Sequence, residues 1–146
     1  MRLSNPGEVA RLSRDAAIRV GQAGRNGGDK TMQYLLIIYS DEAFSDQATL
    51  QEISAAHMRL GAELQESGAM VGGNRLRPSA SATTVRTVGG AQSLHDGPYA
   101  ETREQLAGYY LIEAADLDAA VAWARKIPGG PNYAVEVRPI WPIGGM

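Results

Sequence analysis

Residues Gln33–Tyr39 form an unbroken apolar and aromatic run, and that run limits what the rest of the chain can do. A strand with apolar side chains at successive positions has no polar face to give to water, so both of its faces must be covered. The chain offers two amphipathic helices for that task. Leu50, Ile53, His57, Leu60 and Leu64 recur at spacings of three and four, the period of one helix face, and Gly68 ends that helix. Asp116 is placed to cap a second helix running to about Ile127, because its carboxylate accepts the free backbone N–H groups of the first turn. Arg125 and Lys126 complement that helix's C-terminal dipole, and Pro128-Gly129-Gly130-Pro131 stops it.

Further strands are expected at Ala69–Gly73, Ser81–Val88, Ala91–His95, Ala107–Glu113 and Tyr133–Trp141, with Gly89-Gly90 turning the chain between the second and third of these. The order β-α-β-β-(β)-β-α-β is that of an α+β ferredoxin-like β-α-β-β-α-β sandwich with one additional short strand. Two helices cover one face of such a sheet. The other face needs a cover of its own: a second copy in a two-fold homodimer, sheet against sheet, or the N-terminal extension folded over it.

The charge is unevenly distributed. Residues 1–31 carry six basic and three acidic side chains, whereas residues 32–146 carry eight basic and thirteen acidic ones. The globular part is therefore acidic and offers no basic patch suited to phosphate backbones, which argues against direct nucleic-acid binding. No apolar run approaches the roughly 20 residues a membrane helix needs. The chain has no cysteine, so disulfides, thiolate nucleophiles and cysteine-held metals are excluded. Twelve Arg against two Lys, with abundant Ala and Gly, is the bias of a GC-rich bacterial coding sequence. A cytoplasmic location is expected. Residues 1–31 read as a flexible or dispensable extension: Val9, Leu12, Ala16 and Val20 line a short helical face and Gly21–Lys30 follows as linker. The domain proper is expected to occupy residues 32–146. Gly21, Gly24 and Gly27 lack both the spacing and the preceding strand of a dinucleotide fingerprint.

Three segments carry a family likeness: the string from His95 to Ile112 with Asp96-Gly97-Pro98-Tyr99 at its head, Val71-Gly72-Gly73 after the first helix, and Val135-Glu136-Val137-Arg138-Pro139-Ile140-Trp141 at the end. Together they resemble the YCII-related superfamily, and within it the branch named for its Asp-Gly-Pro-Phe (DGPF) motif, over Met32 to Trp141. The resemblance implies a ferredoxin-like fold assembled as a dimeric α/β barrel. It further implies kinship with dehydrochlorinase-like enzymes of aromatic breakdown, and an association of some branch members with sigma-factor-like proteins of transcription initiation. Tyr99, Arg103 and Ala107 stand where the branch has Phe, Lys and Gly. The superfamily's His–Asp pair carries over in its histidine, His57. Its aspartate, placed just before a proline after the second helix, falls here on Ile127.

His57 is the first candidate for chemistry. On the apolar stripe its ring points at the sheet, and neutral imidazole gives or takes a proton near physiological pH. The plainer reading is a core histidine bonded to a sheet residue. Asp96 and Glu101 are the carboxylates offered by the Asp-Gly-Pro turn, and either would orient His57 in place of the missing aspartate if the turn reaches it. The turn alone explains Asp96 structurally. Thr102-x-x-Gln105 fits a capping box, which predicts one helical turn over Glu101–Leu106. Arg75 and Arg138 are candidate anchors for an acidic substrate, since guanidinium grips a carboxylate with two bonds, although Arg138 is also placed to pair with Glu136. Tyr109 is a candidate ligand contact, and otherwise a core or interface residue. No metal pattern, nucleophile elbow or phosphate loop is present, and no cofactor is called for.

Two functions fit these residues. One is a small-molecule enzyme using cofactor-free acid–base chemistry in elimination or isomerisation. The other is a non-catalytic ligand-binding or regulatory module linked to sigma-factor transcription initiation. An enclosed polar pocket joining His57 to a carboxylate favours the first, and a packed His57 bonded to backbone favours the second.

Overall fold

The computed structural model describes residues 30–142. The extension expected over residues 1–31 lies outside the described residues, apart from its last two. Within them the chain runs β1 (Met32–Asp41), α1 (Gln47–Ser67), β2 (Met70–Arg75), a 3-10 turn (Ser79–Ser81), β3 (Thr83–Val88), β4 (Ala91–Asp96), β5 (Glu104–Ala114), α2 (Leu117–Arg125) and β6 (Tyr133–Pro139). The main sheet has the order β2-β5-β1-β6, and β3 and β4 form a separate two-stranded ribbon. Every neighbouring pair is antiparallel. This α+β arrangement is compatible with the ferredoxin-like sandwich, with the ribbon inserted between β2 and β5.

Alternation along the strands separates the two faces of the sheet. Tyr34, Leu36 and Ile38 of β1 are buried, while Leu35, Ile37 and Tyr39 between them are half-buried. Register carries the same division across the sheet: Tyr34 stands opposite Ile112 and Leu36 opposite Tyr110, whereas Leu35 stands opposite Leu111 and Ile37 opposite Tyr109. The first set meets Leu60 and Leu64 of α1 and Ala120 of α2 in one core, completed by Ile127. Leu36, Leu64, Ile112 and Ile127 are its largest fully enclosed side chains, each contributing about 1.5–3 kcal/mol by leaving water. The second set lies on the face away from the helices.

Side chains hold the helix ends. The Asp46 carboxylate accepts the Thr49 N–H at 3.2 Å, and Gly68 closes α1 in the left-handed conformation at φ 80°. The Asp116 carboxylate accepts the Ala119 N–H at 2.8 Å, the cap expected from the sequence. The helical turn expected over Glu101–Leu106 does not form. Thr102 Oγ1 donates to the Glu104 carbonyl at 2.6 Å, and Gln105 Nε2 donates to the Ala100 and Thr102 carbonyls at 3.1 and 2.8 Å. These side chains stitch a loop into the start of β5 where the capping-box pattern had suggested a helix start. Local side-chain bonds of this kind compete directly with helix formation.

Candidate functional site

His57 projects from the middle of α1 toward the sheet, as the stripe required, and it meets Tyr110 of β5. Its Nδ1 lies 2.7 Å from the Tyr110 hydroxyl, and the two rings stack at 5.9 Å with 24° between their planes. A glycine makes room for this pair. Gly73 stands opposite Tyr110 in the β2–β5 register, and a Cβ there would lie 2.9 Å from the Tyr109 carbonyl oxygen and 3.1 Å from the Tyr110 ring. A side chain at this position would crowd the Tyr110 ring and the β5 backbone that carries it.

The third neighbour is the chain after α2. Burial holds the His57 pKa below its ordinary 6.5, the Arg75 guanidinium lowers it further, and a hydrogen bond with the Pro128 backbone opposes both. Proline's one backbone polar group is its carbonyl, so the ring offers Pro128 an N–H. The tautomer with that N–H leaves Nδ1 to accept from Tyr110. Burial pushes the Tyr110 pKa up, which keeps its hydroxyl protonated and able to donate. Pro128 is held beside the ring by its own turn. The Tyr133 hydroxyl donates to the Ile127 carbonyl at 3.1 Å, and the Tyr133 ring lies so close over Gly129 that any Cβ there would overlap it. Ile127, where the superfamily's aspartate is expected, is buried in the core and brings no charge to the ring.

The other candidates are distributed over three places. Arg75 ends β2 two positions beyond Gly73, on the same face, close enough to act on the His57 charge. Asp96 and Glu101 line a different feature, an open concavity of about 580 Å³ shared with Asp41, Glu42, Ser79 and Arg103, whose lining does not include His57. There Arg103 Nε lies 3.4 Å from Asp41, and Glu42 accepts from the backbone N–H and the hydroxyl of Ser79 at 2.7 and 2.6 Å. The Asp-Gly-Pro turn is tied to the ribbon: the Gly97 N–H donates to the Ala82 carbonyl, and Thr84 Oγ1 donates to the Gly97 carbonyl, both at 2.7 Å. Tyr109 and Arg138 lie on the face away from the helices. Asn74 Nδ2 donates to the Tyr109 hydroxyl at 3.0 Å, and Arg138 pairs with Glu136 at 2.6 Å. Among the described residues no group of three or more His, Asp or Glu gathers closely enough to hold a metal ion.

His57 thus has a tyrosine partner, which sequence reasoning missed. A signal was present: Gly108, Tyr110, Ile112 and Ala114 alternate along β5, so placing Ile112 in the core places Tyr110 on the helix side.

An α+β sandwich with a half-buried histidine on its first helix, facing the sheet and the turn after its second helix, defines the class. The YCII-related domain matches residues 32–144, and the chain belongs to that family. It is also similar to an uncharacterized protein of Rhizobium meliloti (strain 1021), 35% identical over 120 residues, which span 75% of this chain and 92% of the relative. No helix among the described residues is long and apolar enough to cross a membrane.

Proposed function

We propose that this YCII-related protein, of the DGPF branch, binds a small organic acid and acts on it by cofactor-free acid–base chemistry at His57 and Tyr110, as a cytoplasmic homodimer. The observation that carries this reading is the 2.7 Å contact between His57 Nδ1 and the Tyr110 hydroxyl, with Arg75 beside it. Neutral His57 Nδ1, once the Tyr110 hydroxyl turns its hydrogen bond to the bound ligand, takes a proton from a carbon of the ligand, and the C–H electron pair becomes a double bond. The Tyr110 hydroxyl stays protonated and donates to the ligand. In elimination a leaving group departs from the neighbouring carbon with its own electron pair. In isomerisation the proton returns to a different atom. Arg75, exposed at the end of β2, grips the ligand carboxylate. Asp96 and Glu101 serve the Asp-Gly-Pro turn and its concavity, where they shape approach to the domain. Tyr109 and Arg138 belong to the homodimer face.

One observation favours the second reading, a ligand-binding or regulatory module associated with a sigma factor. His57 is also bonded to the Pro128 backbone and, among the described residues, has no carboxylate partner. A panel of small aliphatic and aromatic carboxylic acids, followed through the His57 ring signals by NMR, separates the two readings. The enzyme reading expects acids that shift those signals and are consumed, with consumption lost in His57→Ala and Tyr110→Phe and binding weakened at least tenfold in Arg75→Ala. Acids that bind at His57 and remain unchanged would establish the regulatory reading. Acids that bind equally well to His57→Ala contradict both.

A further inference from the structure

The β3–β4 ribbon does not pack on its own domain in the way the other elements do. Every residue of β4 is exposed, and so is every residue of β3 except Thr84. The ribbon is nevertheless regular, with six paired positions from Thr83–Asp96 to Val88–Ala91. Two strands alone are marginal in water, and such a ribbon persists when one side is covered. One side has a single contact within the chain, the Arg86 guanidinium 5.7 Å over the Tyr99 ring. The opposite side presents Val85 and Leu94 directly across from each other, 58% and 77% exposed, with Thr87 and Gln92 on one flank and Thr83 and Asp96 on the other.

We propose that this ribbon is an arm that reaches onto a second copy of the chain, covering partner surface with its Val85–Leu94 side. The inference rests on the homodimer reading above and adds to it. Area argues for the second copy. Four strands spaced about 4.8 Å apart and seven residues long present a face on the order of 440 Å². A standard stable interface needs about 800 Å² per partner, so sheet against sheet supplies about half. The uncovered side of the arm adds about 200 Å², and the partner's arm covers an equal area on this copy, which brings the total to about 800 Å². Two-fold symmetry supplies both halves at once, since each copy carries an arm and the surface that receives one.

The absence of cysteine gives a direct test in the full chain. Leu94→Cys, labelled with a benzophenone maleimide, is mixed with isotopically heavy chain, allowed to exchange subunits and irradiated, with light scattering on the same sample. Cross-links joining a light arm to the domain of a heavy chain are expected. A dimer whose label cross-links only within its own copy, to residues 1–31, or to nothing overturns the arm and leaves the dimer standing. A monomer overturns both. Val85→Asp with Leu94→Asp is expected to raise the dimer dissociation constant at least tenfold with an unchanged circular dichroism spectrum. An unchanged dissociation constant contradicts the arm.

Discussion

At the scale of single residues, the site is a contest over one proton. Burial and Arg75 favour neutral His57, while the Pro128 backbone favours the charged ring. The lowered pKa has a definite consequence for stability. The unfolded ring takes a proton near pH 6.5, and the folded ring takes one only at lower pH. As pH falls through 6.5 the unfolded state binds more protons, so His57 subtracts stability progressively until the folded value is passed, and by a constant amount below it. Chemical denaturation across pH 4–8 should therefore show a smaller acid loss in His57→Gln than in the wild type, once the common carboxylate contribution is subtracted. Tyr110→Phe removes the donor to Nδ1 and should cost about 1 kcal/mol at neutral pH, read from the denaturation midpoint. A variant as stable as the wild type would show that the 2.7 Å contact contributes nothing.

At the scale of elements, close approaches at two glycines decide whether the site assembles. Gly73→Ala pushes a Cβ against the Tyr109 carbonyl oxygen at 2.9 Å and the Tyr110 ring at 3.1 Å. Gly129→Ala drives a Cβ into the Tyr133 ring. Overpacking of this kind should cost about 1–3 kcal/mol each. Gly73→Ala should in addition disturb the His57 ring signals, and Gly129→Ala should disturb the turn that carries Pro128. These effects also show where sequence reading works and where it ends. The helical period of Leu50, Ile53, His57, Leu60 and Leu64 was enough to aim His57 at the sheet, because helix geometry is local. Its partner was not local. Tyr109 and Tyr110 are adjacent and chemically alike, and which one faces His57 follows from which side of β5 lies in the core, fixed by its pairing with β1 in the order Ile112 to Tyr34 and Tyr110 to Leu36. The misread turn at Thr102–Gln105 has a related origin, since the same side chains that cap helices also bond loop carbonyls.

At the scale of the molecule, the described domain has a core on one side. Buried residues gather between the sheet and its helices, while Leu35, Ile37, Tyr109 and Leu111 line the other face and Trp141 follows β6 at 72% exposure. The second apolar face was legible in the unbroken apolar run of β1; the ribbon's separation from the main sheet was not, because strand patterning does not say which strands pair. The homodimer predicts twice the chain mass by light scattering at micromolar concentration. Deleting residues 1–31 should leave that mass and the thermal midpoint unchanged, and an insoluble or monomeric product would mean that the extension covers the open face.

The pairing of His57 with Tyr110 carries the proposed chemistry, and the titration of the His57 ring by NMR tests it most directly. In the wild type the ring should titrate below pH 6.5 with Nδ1 as the unprotonated nitrogen of the neutral form, and Tyr110→Phe should raise that value. A ring that titrates at or above 6.5, or one indifferent to the loss of the Tyr110 hydroxyl, would contradict it.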